Sequence, residues 1–543
     1  MSQVMSSSKE GSAGTETRGV MACACALSYL AASGCADLPS VGPDYVKPEV
    51  TLNASWSESG SARVARQTSI DRAWWTTFND ETLNNLIEEA YKQNLDLRIS
   101  GLRILEARAL LGVAVGLQFP ENPGPIASAE AVGLSQHAPN SRGLDYQFGN
   151  YQVGFDAVWE VDFWGKYRRG VRAETASYFA TLADYDNALV ALSAEVARTY
   201  VQIRTFEVLL MQAQQNVAVE EEGQRIAESR YRHGATSQLD VNQATTLLES
   251  TRTTIPKLTL SLRQSQNALC TLLGRPTGCT GTGLMAAASV IPMMTAPLEV
   301  IVPAEILRRR PDIRVAELRA IAQCEHIGVA KAELYPSLVL AGAIGIQTSS
   351  SGGAQSGNST LANLVSPTSL LYSLGGSLFW PIFKYPRILN NVRVQDARYQ
   401  ELLVDYQQTV LKAAQEVEDE LAGFLREEEA AVYAQNAALA AEVAMKLAVV
   451  QYREGATDYQ RVVDTQRVLL QTQEEFARTR SAVSSNAIAL YKALGGGWEM
   501  RQGQPTVPEF MATEMQKRTN WGRYFGEPLP ANRNPAGIPA ARK

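Results

Sequence analysis

The clearest pattern along the chain is an alternation of apolar and polar residues that predicts four β-strands. From Tyr151 to Phe163 every odd position is apolar, whereas the even positions include Gln152 and two aspartates. A period of two gives a strand one apolar and one polar face. The alternation recurs at Leu338–Ile346 and Tyr372–Trp380 and, more faintly, over about 126–136. We expect these strands to form two hairpins.

The apolar faces of these strands suit either a soluble core or a lipid bilayer. Aromatic residues favour the bilayer because they cluster toward the strand ends, as in membrane β-barrels. They are Tyr146, Tyr151, Trp159, Phe163, Trp164, Phe379 and Trp380. The sequence contains no run of about 18 apolar residues, so no transmembrane helix is predicted. Because membrane barrels need at least about eight strands and have no open edge, four strands close only with other copies, and three chains give twelve.

Two proline-free segments predict helices of unusual length. Gly165–Tyr231 and Arg387–Tyr452 each contain roughly 66 residues and are rich in Ala, Leu, Glu, Gln and Arg. At about 1.5 Å per residue, each helix spans on the order of 100 Å. Beyond each segment lies a short break, after which helical composition continues for about 37 residues, to Leu273 and Leu494.

The break is itself repeated. The hexapeptide YRHGAT that begins at Tyr231 returns 221 positions later as YREGAT at Tyr452, and Leu273 and Leu494 keep the same offset. Pro120 and Pro336 lie 216 positions apart. A register held over such a distance indicates a duplicated architecture with two internal repeats.

Each break is expected to be the tip of an αα-hairpin, because Gly234 and Gly455 fit the left-handed position that ends a helix. The duplication divides the chain into a first repeat over 79–285 and a second over 286–500. The remaining tail, 501–543, is predicted to be extended or disordered because it is rich in proline; its prolines are Pro505, Pro508, Pro528, Pro530, Pro535 and Pro539.

Composition excludes several classes of function. The net charge of −6 and the pI near 5.5 do not supply the basic surface that nucleic acid requires, so no nucleic-acid partner is expected. The three histidines, His137, His233 and His326, are scattered and have no metal-ligand spacing. The sequence also has no phosphate-binding glycine loop and no nucleophile grouping. We therefore expect no enzyme activity, cofactor or metal.

The first 34 residues are predicted to be an export signal. A short apolar run from about Val20 to Ser33 follows two basic residues and ends in small residues before Cys35. This pattern is similar to a bacterial lipoprotein signal, which makes Cys35 a candidate lipid anchor at the start of an extended segment over 35–78; ordinary signal cleavage is the alternative. Cys270 and Cys279 flank a predicted turn and are candidates for a local disulfide, whereas Cys324 is expected to be a buried thiol.

Four strands, two long helical hairpins and an internal duplication together resemble the TolC-like outer-membrane factors of Gram-negative efflux pumps and type I secretion systems. Two motifs resemble the lipoprotein, NodT-type branch of that family; they are Cys35 followed by Pro39-x-x-x-Pro43-x-Tyr45-x-x-Pro48, and Arg310-Pro311-Asp312-Ile313-Arg314-Val315-Ala316-Glu317. The resemblance implies a homotrimer in which a trimeric α-helical barrel, extending into the periplasm, joins a 12-stranded β-barrel in the outer membrane.

The resemblance also implies a gate at the helix tips. The positions that match it are Tyr452, Asp464 and Arg467 in the second repeat, with Tyr231, Arg232, Asp240 and Gln243 at the corresponding tip of the first. Arg461 departs from the family pattern and adds a positive charge that would weaken cation selectivity. A plainer alternative is that Asp464 and Arg467 form an exposed i,i+3 pair worth about 0.2 to 0.5 kcal/mol.

The leading functional hypothesis is a passive channel that takes drugs or other small molecules from a periplasmic adaptor and an inner-membrane transporter to the exterior. The partners implied are those two proteins, two further copies of the chain and outer-membrane lipid. A duct for secreted polypeptides is one alternative. A periplasmic coiled-coil scaffold with a small soluble sheet is another, and it belongs to a different class of protein.

Overall fold

The computed structural model describes residues 39–66, 73–135, 137, 146–279, 290–294, 297–350, 361–501 and 504–525. The predicted export signal and Cys35 lie outside these residues. The elements are, in chain order, β1 (Val64–Arg66), α1 (Glu81–Gln93), α2 (Leu95–Gly116), β2 (Glu121–Gly133), β3 (Gln147–Val161), α3 (Lys166–Arg232), α4 (Gln238–Leu272), β4 (Leu298–Val300), α5 (Pro303–Arg309), α6 (Pro311–Ala332), β5 (Ser337–Ser350), β6 (Leu370–Phe379), α7 (Tyr385–Arg453), α8 (Tyr459–Ala493) and α9 (Glu509–Arg518). Short 3-10 turns include Trp74–Phe78, Ile382–Lys384 and Trp498–Arg501.

The four predicted strands form one antiparallel sheet in the order β2-β3-β5-β6. Phe155 lies opposite Ile344, and Ile344 lies opposite Tyr372, so the predicted apolar faces make one continuous surface. These three side chains are 61%, 57% and 70% exposed. The chain therefore does not bury this apolar face in a core of its own, which removes the main support for a soluble sheet.

The long helices are present as two antiparallel hairpins. Helix α3 has 67 residues and pairs with α4, and α7 has 69 residues and pairs with α8. Pro256 lies inside α4. Helix α6 packs between α3 and α7 and so joins the repeats. Among the described residues, no helix is both long enough and apolar enough to cross a membrane.

The duplication extends to single hydrogen bonds. The Trp159 indole donates to the carbonyl of Gln118, and the Trp380 indole, 221 positions later, donates to that of Leu334, both at 3.1 Å. Asn94 Nδ2 binds the carbonyl of Leu272 at the end of α4 at 2.9 Å. Arg310 is the equivalent residue, 216 positions later, and begins the Arg310-Pro311-Asp312 motif. Its Nη1 donates to the carbonyl of Ala493 at the end of α8 at 2.8 Å. That motif therefore has a structural role, because it satisfies a helix terminus.

The segment that begins at Pro39 lies along the helices near the sheet. The Val41 amide donates to the carbonyl of Trp164 at 3.0 Å, and Arg169 Nη1 donates to that of Pro43 at 2.9 Å. Arg169 also pairs with Glu325 of α6 at 3.0 Å, and both side chains are buried. The proline-rich motif near the N-terminus is thus a segment bound across both repeats.

The prediction that the tail is extended or disordered is wrong for Glu509–Arg518, which form α9. The helix follows Pro508, and Glu509 in its first turn and two basic residues in its last turn complement the helix dipole. The Arg98 guanidinium lies 5.6 Å from the Phe510 ring, so the helix also packs on α2. Pro508 directly precedes a helix, and proline is common at the start of helices. A proline-rich composition alone does not distinguish the start of a helix from a disordered segment.

The cysteines are placed as the sequence suggested. Cys270 and Cys279 form a disulfide with a Cα–Cα distance of 5.8 Å, which links the end of α4 to the following turn. Cys324 is a buried free thiol on α6.

Candidate functional site

The two hairpin tips are built from the same local signals. Gly234 has a φ of 74° and Gly455 a φ of 77°, the left-handed conformation that a residue without a Cβ adopts readily. The amide after each glycine closes the turn by donating to a carbonyl of the last helical turn, at 2.8 Å in both tips. Ser237 and Asp458 then cap the returning helices through their side chains.

A set of contacts at the tips holds the second hairpin against the first. Tyr452 is buried, and its hydroxyl donates to Asp240 Oδ2 at 3.1 Å. Thr236 donates to the same carboxylate oxygen. The guanidinium of Arg230 lies 4.8 Å from the centre of the Tyr452 ring and donates to the Tyr452 carbonyl. Residues of the first repeat therefore contact the ring, the hydroxyl and the backbone carbonyl of Tyr452.

Burial and the Asp240 carboxylate both act on Tyr452. Burial, followed by the charge of Asp240, raises the pKa of the Tyr452 hydroxyl to about 12. The hydroxyl therefore keeps its proton and stays a donor throughout the physiological pH range. The ring also meets Tyr459 edge-on, with 5.0 Å between the ring centres.

Asp464 belongs to a second connection between the hairpins. Gln243 Nε2 on α4 donates to Gln460 Oε1 at 2.9 Å, and Gln460 Nε2 donates to Asp464 Oδ1 at 2.8 Å. Asp464 remains exposed. The chain from Gln243 through Gln460 fixes the orientation of an acidic group that points away from the packed side of α8.

The other candidate gate residues are not brought together within one chain. Tyr231, Arg232, Arg461 and Arg467 are all exposed. Over the part of the chain that the structure describes, Asp464 and Arg467 do not form the i,i+3 ion pair considered above. Arg232 Nε donates to the Glu228 carbonyl at 3.4 Å, and the exposed side chains can contact surfaces outside this chain.

Sequence reasoning missed Arg230, Thr236 and Gln460. The repeat offers a partial signal, because Arg230 corresponds to Gln451 and so differs between otherwise similar tips. The described residues contain no group of three or more His, Cys, Asp or Glu placed to hold a metal ion.

A family model described as outer membrane efflux protein matches residues 86–275 and 302–496. Nodulation protein T of Rhizobium leguminosarum bv. trifolii is 30% identical over 466 residues, covering 86% of this chain and 95% of that protein. The cation efflux system protein CusC of Escherichia coli O6:H1 is 30% identical over 476 residues, covering 87% and 97%. The structure of the outer-membrane channel OprN is 29% identical with a TM-score of 0.78, covering 84% of this chain and 99% of that one.

The family model and these relatives confirm the predicted resemblance, the helical-barrel fold class and the outer-membrane location. Members of the family are channels and not enzymes. Each of the two matched ranges contains one of the tips just described. The chain therefore belongs to the outer membrane efflux protein family.

Proposed function

We propose that this channel works as a passive homotrimeric duct, which receives small molecules from a periplasmic adaptor and an inner-membrane transporter. The observation that carries the proposal is a helix contact that the second repeat makes and the first does not. Helix α6 packs on α3 and α7, whereas its equivalent α2 packs on α3 and, among the described residues, has no comparable contact with α7. Alternation of the two repeats around a ring would place α2 of one copy beside α7 of the next.

Exposed apolar residues support this arrangement. Leu110 and Val113 on α2, and Val404 and Leu411 on α7, are all exposed in the single chain. The outer edges of β2 and β6 are likewise unpaired in the four-stranded sheet. An interface between unlike surfaces covers all of these at once, and three copies would close a barrel of twelve strands.

The repeat also fixes which residues should meet between copies. Val153 of β3 lies opposite Ile346 of β5. The offset of 221 carries Val153 to Leu374 of β6. The bulge between Glu121 and Gly124 adds one residue to β2, so the offset there falls from 216 to 215 and carries Ile346 back to Ala131. Leu374 is therefore expected opposite Ala131 of the neighbouring copy.

A disulfide cross-link tests this register and the trimer together. We expect a chain carrying Leu374→Cys and Ala131→Cys to migrate as a covalent trimer under denaturing, non-reducing conditions, because facing residues in antiparallel strands have Cβ atoms about 4.5–5.5 Å apart. A chain with Ser373→Cys and Ala131→Cys is the matched control, since Ser373 points to the opposite face of β6. Monomers from both variants would contradict the ring.

The polar groups exposed at the tips are proposed to form the periplasmic gate. Three copies of Asp464 around a narrow axis would attract cations and repel one another, and Arg467 would donate charge-assisted hydrogen bonds to neighbouring hairpins. Arg461 would add positive charge to the same mouth. Adaptor contacts that separate the tips would then shift a closed state toward an open one.

The cargo is proposed to be small molecules. Relatives include proteins named for cation efflux, toluene efflux and pyoverdine export, so the shared duct accommodates chemically different cargo. Energy would come from the inner-membrane transporter, because a passive duct supplies none. Export of labelled substrates from cells lacking the gene tests this part of the proposal.

Cys35 is proposed to carry the lipid anchor. Arg168 Nη2 donates to the carbonyl of Pro39 at 3.1 Å, and Val41 binds Trp164 just beyond the end of β3. Four residues extend about 14 Å at most, so Cys35 would reach the bilayer surface at the base of the sheet. Acylation by three chains gives stable attachment.

We expect Cys35→Ser to lose the acyl mass of the N-terminal peptide but to stay functional in the outer membrane, because a closed barrel holds itself in the bilayer. Mass spectrometry and membrane fractionation measure the two effects. Complete loss of the protein from the outer membrane would contradict the expectation.

A further inference from the structure

A carboxyl group is buried between the two hairpins, well above the tips. Glu220 on α3 is 2% exposed, and Thr251 on α4 donates to its Oε1 at 3.0 Å. Its Oε2 is buried and has no hydrogen-bond partner among the described residues. Glu220 precedes Gly234 by 14 residues, which places it about 21 Å from the tip.

Helix α8 presents polar groups to the same junction. Tyr459 and Gln466 are 1% and 3% exposed. The Tyr459 hydroxyl and both amide atoms of Gln466 are buried and, within the described part of the chain, have no hydrogen-bond partner.

Two flanking contacts place Gln466 on the face of α8 that packs against the stretch of α3 containing Glu220. A Cβ on Gly223 would lie 3.0 Å from the Tyr459 hydroxyl, and Asn216 Nδ2 donates to Gln473 Oε1 at 2.9 Å. Gln466 is seven residues from both of its neighbours on α8, which keeps it on the same helix face. Glu220 lies between Gly223 and Asn216 on the facing side of α3, at spacings of three and four residues.

The architecture does not require an acid at this position. The residue that corresponds to Glu220 in the second repeat, 221 positions later, is Ala441, which is also buried. Burying a carboxyl group is costly unless its hydrogen bonds are satisfied. Because the fold accepts alanine at the equivalent place, the glutamate is retained at a cost that packing does not explain.

We propose that Glu220, with Thr251, Tyr459 and Gln466, forms a proton-binding site that ties the second hairpin to the first, and that loss of this proton favours separation of the tips. The site would act as a pH-sensitive positioning element for the gate. This inference rests on the proposed gating of the channel.

The surrounding charges favour the neutral form of Glu220. On α4, Arg252 is held by Glu221 at 2.7 Å and Glu249 at 2.7 Å at the surface. On α8, Arg467 is exposed, and no cation pairs with Glu220 among the described residues. The charges of Glu220 and Asp240 both act on Tyr459, whose pKa is raised mainly by burial. An ionised Glu220 would thus add a second negative charge to a region that already holds one.

The direction of the pH effect follows from linkage. Burial raises the pKa of Glu220 from 4.5 to about 7. In separated hairpins the hydrated group would keep its ordinary value, so between these limits only the closed junction holds the proton. Closed packing is therefore most stable below pH 4.5, weakens as the pH rises, and has lost this contribution above about pH 7.

Single-channel recording of the purified trimer at about pH 5.5 and about pH 8 tests the site. We expect the open probability of the wild type to rise at least about tenfold with pH, and that of Glu220→Gln and Glu220→Ala to stay nearly constant. Glu474→Gln, which changes an exposed acid on α8 that pairs with Arg478, is the control and should behave as the wild type does. No pH response in the wild type, or an equal one in Glu220→Gln, would overturn the proposal.

A thermal measurement separates this proposal from the channel itself. The difference in Tm between the wild type and Glu220→Gln should change up to about pH 7 and then level off, even if the protein conducts nothing at any pH. A complete absence of conductance with the expected Tm profile would refute the proposed gating and leave the proton site standing. A pH-independent Tm difference would refute the proton site.

Discussion

Replacing Asp464 and Arg467 together with alanine will make the closed channel leak ions and large antibiotics. Asp464 is exposed and oriented by Gln460, and Arg467 is exposed one turn further along α8. Asp464 and Arg467 do not form an ion pair with each other among the described residues. In the proposed trimer, both side chains contact neighbouring hairpins instead. Removing them deletes polar contacts that only the closed mouth makes. Conductance in planar bilayers and antibiotic sensitivity of cells measure the leak.

The expected leak is large because the same contacts are lost in all three copies of the proposed trimer. An exposed charged contact contributes about 0.2–1 kcal/mol, so three copies contribute about 0.6–3 kcal/mol to closure. Since about 1.4 kcal/mol is a factor of ten, the open fraction should rise by about 3- to 100-fold. Glu474→Ala with Arg478→Ala removes the same charges from an exposed pair on the same helix, further from the tip, and should leave conductance unchanged. Equal behaviour of the two double variants would exclude a gate at Asp464 and Arg467.

The parts of this fold that sequence could predict are those with a local cause. Alternation over Tyr151–Phe163 requires only a period of two, and the structure places the predicted apolar positions from Tyr151 to Val161 on one face of the sheet. Gly234 and Gly455 mark the tips because a left-handed residue ends a helix wherever it occurs. The repeat then relates residues that are far apart in the chain, because positions separated by the repeat offset occupy equivalent places in the two halves of the fold.

What sequence could not predict depends on which helices meet. Tyr452 was recognised as a tip residue, but its grip by Arg230 joins residues 222 positions apart and has no counterpart in the first tip. Glu220 is one of many glutamates in an amphipathic helix until its burial against α4 and α8 is known. The packing of α6 against both α3 and α7 cannot be read from the helical period, because that period is the same for every helix.

Glu325→Ala will destabilise the protein by about 3–5 kcal/mol, because it leaves the buried Arg169 guanidinium with only the exposed carboxylate of Asp44, 3.4 Å from Nη2, as a counter-charge. Arg169 is 1% exposed and joins the N-terminal segment, α3 and α6. Burial raises the pKa of Glu325 in spite of the arginine, which indicates that desolvation outweighs the attraction. The pair therefore costs free energy to bury, and breaking it costs more than removing both charges.

The double variant Arg169→Met with Glu325→Leu should accordingly recover most of the lost stability, since an apolar pair of similar volume is often neutral or stabilising. Lys47→Ala provides the control: Lys47 pairs with Glu317 at 3.0 Å on the same N-terminal segment but is partly exposed, and its loss should cost about 0–1 kcal/mol. Guanidinium midpoints of the detergent-solubilised protein compare all three. If Glu325→Ala costs no more than Lys47→Ala, the carbonyls of Pro43 and Gly42 and the carboxylate of Asp44 suffice to hold Arg169, and the pair with Glu325 is not what fastens the N-terminal segment.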